Sequence, residues 1–126
     1  MDAQGRLNGT LVEWDHCAEA FETAAREAAV AKVAWEKFSA RLRIGLKADA
    51  AKDGEKLTVQ DLNAQILNRD TESLYERAEI ADALVTGLRK RLDVFAAQAD
   101  ALRTEIASDR QRERAWMASP SVPGVR

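Results

Sequence analysis

Apolar residues recur at alternating steps of four and three along residues 67–106. They fall at Leu67, Leu74, Ala78, Ala81, Val85, Leu88, Leu92, Phe95, Ala99, Leu102 and Ile106, and Thr71 breaks the series. Such a heptad seam occupies one side of a helix and is stable only when buried against another helix. It predicts a long helix over about 58–117, capped by Thr58 with Asp61 at the third helical position. The weakest stretch is Asn68-Arg69-Asp70-Thr71-Glu72-Ser73, whose short polar side chains compete for backbone hydrogen bonds. A break near residues 68–71, with Asp70 or Thr71 capping a new helix, is therefore the alternative to one continuous element.

The first half carries a second seam. Leu11, Trp14, Ala18, Phe21, Ala25 and Ala28 follow three–four steps, and an extra three-step leads to Ala31, Trp35, Phe38 and Leu42. An inserted step of this kind overwinds the supercoil locally or shifts the buried face. Asn8-Gly9-Thr10 followed by Glu13 reads as a capping box, so this helix is expected over about 11–47, after a flexible polar segment 1–9. Residues 48–57 contain Lys52-Asp53-Gly54-Glu55 and form the expected turn, and Pro120 and Pro123 mark 119–126 as a disordered tail. The fold class is all-α, a long antiparallel helical hairpin over 10–118 with coiled-coil-like packing.

Antiparallel return from a turn near Asp53 sets a register. Leu42 then lies near Leu62 and Asn63, Ala28 near Ala78, Phe21 near Val85 and Trp14 near Leu92. Gly87 falls opposite Ala18 and Glu19, where a missing side chain would permit close approach. At 1.5 Å per residue the first helix is about 55 Å long and the second roughly 90 Å. Beyond Phe95 the return helix thus lacks an intrachain partner unless residues 1–10 cover it. Phe95, Ala99, Leu102, Ile106 and Trp116 become the expected surface for self-association or a partner helix.

Composition supports this and removes several chemistries. Charged residues are 32% of the 126, yet the formal net charge is only −2, as on a solvated helical surface. Cys17 is the lone cysteine, which excludes an intrachain disulfide. Neither an apolar leader nor a run of about 20 apolar residues occurs, so a cytoplasmic protein without membrane contact is expected. His16 beside Cys17 points about 100° away on a helix, and no second His or Cys completes a metal or nucleophile site. Phosphate loops, zinc spacings and nucleophile elbows are likewise missing, and a helical hairpin offers little concavity. The expectation is no enzyme and no cofactor. Arg89, Lys90, Arg91, Arg103, Arg110 and Arg114 form basic clusters suited to phosphate contact, but Asp93, Asp100, Glu105, Asp109 and Glu113 are interleaved with them.

The alanine-rich hairpin, the turn ending Glu55-Lys56-Leu57-Thr58-Val59 and the return helix Ala78–Ala107 together resemble small helical proteins of actinobacterial bacteriophages. Those are often encoded near replication and recombination genes. The resemblance implies a phage-encoded interaction or adaptor protein in the cytoplasm of a bacterial host. It also admits an accessory DNA-binding factor or a structural virion component. Secreted hairpins of the WXG class differ: they place Trp-x-Gly in the turn, where this chain has only Gly54, and its Tyr75-Glu76-Arg77-Ala78-Glu79 lies within a helix.

Overall fold

A computed structural model describes residues 2–118, so the expected tail 119–126 lies outside the described residues. Three helices follow in order: α1 Ala3–Lys52, α2 Val59–Asn68 and α3 Leu74–Ala118, with no strand among the described residues. The long helices α1 and α3 pack against each other, giving the all-α helical hairpin. The chain forms two compact units, Met1–Glu19 with Arg89–Arg126 and Ala20–Leu88.

In the first unit α1 starts eight residues earlier than the Thr10 capping box implies, at Ala3 instead of Leu11. The cap is Asp2: its carboxylate accepts a hydrogen bond of 2.7 Å from the Gly5 N–H, and its carbonyl accepts the Arg6 N–H at 3.0 Å. Residues 3–9 are therefore helical, not a separate polar lead. Packing supplies the reason. Ala3 and Leu7 are buried, as is Ala99 on α3, with Leu102 and Ile106 half-buried. Burial of this kind outweighs the roughly 1 kcal/mol that a glycine such as Gly9 costs inside a helix. Arg6 closes the flank by donating to Glu105 at 2.9 Å. Beside that pair, Gly9, Thr10 and Glu13 of α1 line one groove with Gln98, Ala101 and Leu102 of α3.

The second unit contains the turn and α2. Gly54, at φ +72°, ends α1 in a Schellman motif: the Glu55 N–H donates to the Ala50 carbonyl at 2.8 Å and the Gly54 N–H to Ala51 at 3.2 Å. Thr58 then caps α2 as expected, its hydroxyl accepting from the Asp61 N–H at 3.1 Å. Leu62 and Ile66, one helical turn apart, are the largest fully buried side chains. They meet Leu46, and Trp35, Phe38, Leu42 and Leu57 pack around that cluster. Arg43 donates to the Asn63 amide oxygen at 3.0 Å, as the expected nearness of Leu42 to Asn63 requires.

The return is broken, and the continuous helix over 58–117 is replaced by α2 and α3. Asp70 makes the new start: its two carboxylate oxygens accept the Leu74 N–H at 2.8 Å and the Tyr75 N–H at 2.9 Å. Ser73 enters the left-handed region at φ 55°, which an L-residue adopts only at some cost. Residues of the break do not carry α3 along α1, so the pairing moves. Trp35 meets the Tyr75 ring edge-on, with centroids 5.1 Å apart, where an unbroken helix would have offered Thr71. Ala25 and Ala28 of α1 line one groove with Ala78 and Val85 of α3.

The buried face of α1 corrects the inserted three-step. Its seam runs Leu7, Thr10, Trp14, Cys17, Phe21, Ala24, Ala28, Ala31, Trp35, Phe38 and Leu42 without interruption, each buried or half-buried. Leu11 is 37% exposed and stands beside the seam. On α3 every expected position from Leu74 to Ile106 is buried or half-buried, and Ala96 joins them beside Phe95. Gly87 is exposed, and a Cβ there would meet nothing within 4 Å, so it marks no close approach.

Candidate interaction surfaces

The side chains expected to lie bare on the far half of α3 are largely enclosed. Ala99 is fully buried, and Phe95, Leu102 and Ile106 are half-buried within the unit that contains residues 2–19. Trp116 alone of the five is open to solvent, at 82% exposure. The premise of an uncovered seam beyond Phe95 therefore fails, because α1 reaches back to Ala3.

The basic clusters are exposed but diluted by acids on the same helix. Arg103 pairs with Asp100 at 3.4 Å and Arg112 with Asp109 at 3.6 Å, each one helical turn away. Arg89, Lys90, Arg91, Arg110 and Arg114 are all exposed. His16 is exposed whereas Cys17 is buried in the seam, so the two side chains face different surroundings. Among the described residues no group of three or more His, Cys, Asp or Glu side chains is gathered as a metal would need. No helix among them is long and apolar enough to cross a membrane.

The informative features lie on the flanks of the second unit. On one side, Arg26, Val30, Ala34, Leu74 and Arg77 line an open, mainly apolar groove in which Glu27 is the acid. Outward apolar residues extend it: Val30 is 71% exposed, Ile80 62% and Leu84 53%. Ile80 and Leu84 follow Arg77 at steps of three and four, which places all three on one face of α3. On the other side, Trp35 and Tyr75 wall a second groove bordered by Glu36, Glu79 and Asp82, with Lys32 as its base. Thin alanine layers account for both grooves. Where Ala28, Ala31, Ala78 and Ala81 fill the seam, little side-chain volume reaches the flanks.

Reading for the seam hides such residues, because Val30, Ile80 and Leu84 lie off the series that defines the core. The available signal was their type: β-branched and aliphatic side chains at positions where a solvated helix carries charge. Compared with family models, curated proteins and solved structures, the chain matches none.

Proposed function

We propose that this chain is a non-enzymatic helical interaction protein, acting through self-association or by taking up a partner helix. The observation that carries the reading is the outward apolar flank of Val30, Ile80 and Leu84 beside an apolar groove. Contiguous apolar surface at solvent is unfavourable unless something covers it, and a third or fourth helix is the natural cover for a helix pair. Both grooves are open along the helices, a shape that suits a helix better than an enclosed small reactant.

Sedimentation equilibrium, together with titration of synthetic amphipathic helices, tests this. The wild type is expected to associate or to bind such helices. A Val30→Glu, Leu84→Glu variant, altered only at exposed positions, is expected to stay helical and lose that association. A wild type that remains monomeric at high micromolar concentration and takes up no helix contradicts the reading.

A further inference from the structure

The two grooves of the second unit carry opposite charge. The apolar one is rimmed by Arg26 and Arg77, and only Glu27 opposes them. The aromatic-walled one is bordered by Glu36, Glu79 and Asp82, and only Lys32 opposes those. Among the described residues, none of Arg26, Arg77, Glu79 and Asp82 has an ion-pair partner. The first unit shows what a satisfied flank looks like, since Arg6 and Glu105 occupy facing heptad positions and pair at 2.9 Å. Four heptads along each helix, the equivalent positions are Ala34 and Arg77, which cannot pair.

We propose that the apolar groove bearing Arg26 and Arg77 receives a second copy of this chain through its acidic groove, with Glu79 and Asp82 on α3 facing the two arginines. The proposal rests on the interaction-protein reading and names the occupant. Val30, Ile80 and Leu84 supply the apolar area of the contact. The arginines supply orientation, because a guanidinium fork recognises carboxylates in a directed way. A copy turned to present its own basic groove would set arginine against arginine, and such like-charge contact is rejected strongly. The interface joins two different surfaces, so one copy keeps a free acidic groove and the other a free basic one, and association continues unless a ring closes.

A charge-swap experiment decides it. The Arg26→Glu, Arg77→Glu variant has two acidic grooves, and the Glu79→Lys, Asp82→Lys variant has two basic ones. All four positions are exposed, so both variants are expected to retain the wild-type helical circular dichroism. In sedimentation the wild type is expected to associate, more weakly as salt rises. Each variant alone is expected to associate more than about tenfold less tightly, and their equimolar mixture to regain the complex. Should either variant lose helicity, Arg77→Gln and Glu79→Gln take its place, and each is expected to flatten the salt dependence.

A wild type that is monomeric at every concentration overturns the second copy as occupant. If that monomer still binds synthetic helices, the interaction reading survives while this inference fails. Association that survives both charge reversals unchanged, or variants that do not recombine, overturns the pairing of these two grooves.

Discussion

Truncating Leu62 to alanine is expected to cost about 2–5 kcal/mol of unfolding free energy. Leu62 is among the largest fully buried side chains, and it meets Leu46 and Ile66 beneath Trp35, Phe38, Leu42 and Leu57. The loss reaches beyond one cavity. α2 has only 10 residues, too few to be stable as an isolated helix, so Leu62 and Ile66 are what hold it in place. A loosened α2 also frees the Asp70 cap from its setting at the start of α3. Chemical denaturation checks this against Val59→Ala, at an exposed position of the same helix, which is expected to change stability by no more than about 0.5 kcal/mol. Equal effects at Leu62 and Val59 would mean that α2 does not dock through this face.

Truncating Leu7 to alanine is expected to destabilise by about 2–5 kcal/mol, whereas Leu11→Ala stays near neutral. The two leucines are one helical turn apart and equally apolar, yet Leu7 is 7% exposed and Leu11 37%. Leu7 is buried next to Arg6, in the same unit as the Arg6–Glu105 pair. Thermal unfolding of the two variants compares both registers of α1 directly. A larger loss at Leu11 would restore the seam through Leu11, Ala18 and Ala25 and put Cys17 outside it.

That choice of register was the main feature the amino-acid pattern left ambiguous. Trp14, Phe21 and Ala28 belong to both candidate seams. Between them the chain offers Leu11, Ala18 and Ala25 on one side, and Thr10, Cys17 and Ala24 on the other. Each set satisfies three–four spacing, and the first is the more apolar. Crossing from one set to the other at Ala28 is what creates the apparent extra step before Ala31. On α3 the competition is weaker: Leu88, Leu92 and Leu102 have charged or small neighbours, and of the buried and half-buried positions from Leu74 to Ile106 the series omits Ala96.

The ends were harder, for a physical reason. Thr10 with Glu13 satisfies the local rules for a helix start, but local capping is worth about 1 kcal/mol. Extending α1 through Leu7 to Ala3 buries apolar area worth more. The break after Asn68 was foreseeable from Asp70 and Ser73, although its consequence for pairing was not. Shifting Trp35 onto Tyr75 depends on how far the broken segment advances, which propensity does not encode. The flanking grooves are a product of that pairing, and they became visible only once Arg26 and Arg77 were seen on one rim.

Closure of the α3 seam by the chain's own N-terminal residues takes Ala99 out of solvent and half-buries Phe95, Leu102 and Ile106. Native-state hydrogen exchange of the backbone amides of residues 7–10 tests it most directly, since these lie beyond the free first turn of α1 and donate within the helix. The account predicts protection well above that of an unfolded chain, and coincident loss of protection with residues 99–106 on mild destabilisation. Exchange of residues 7–10 at the unfolded-chain rate, with 99–106 remaining protected, would contradict it.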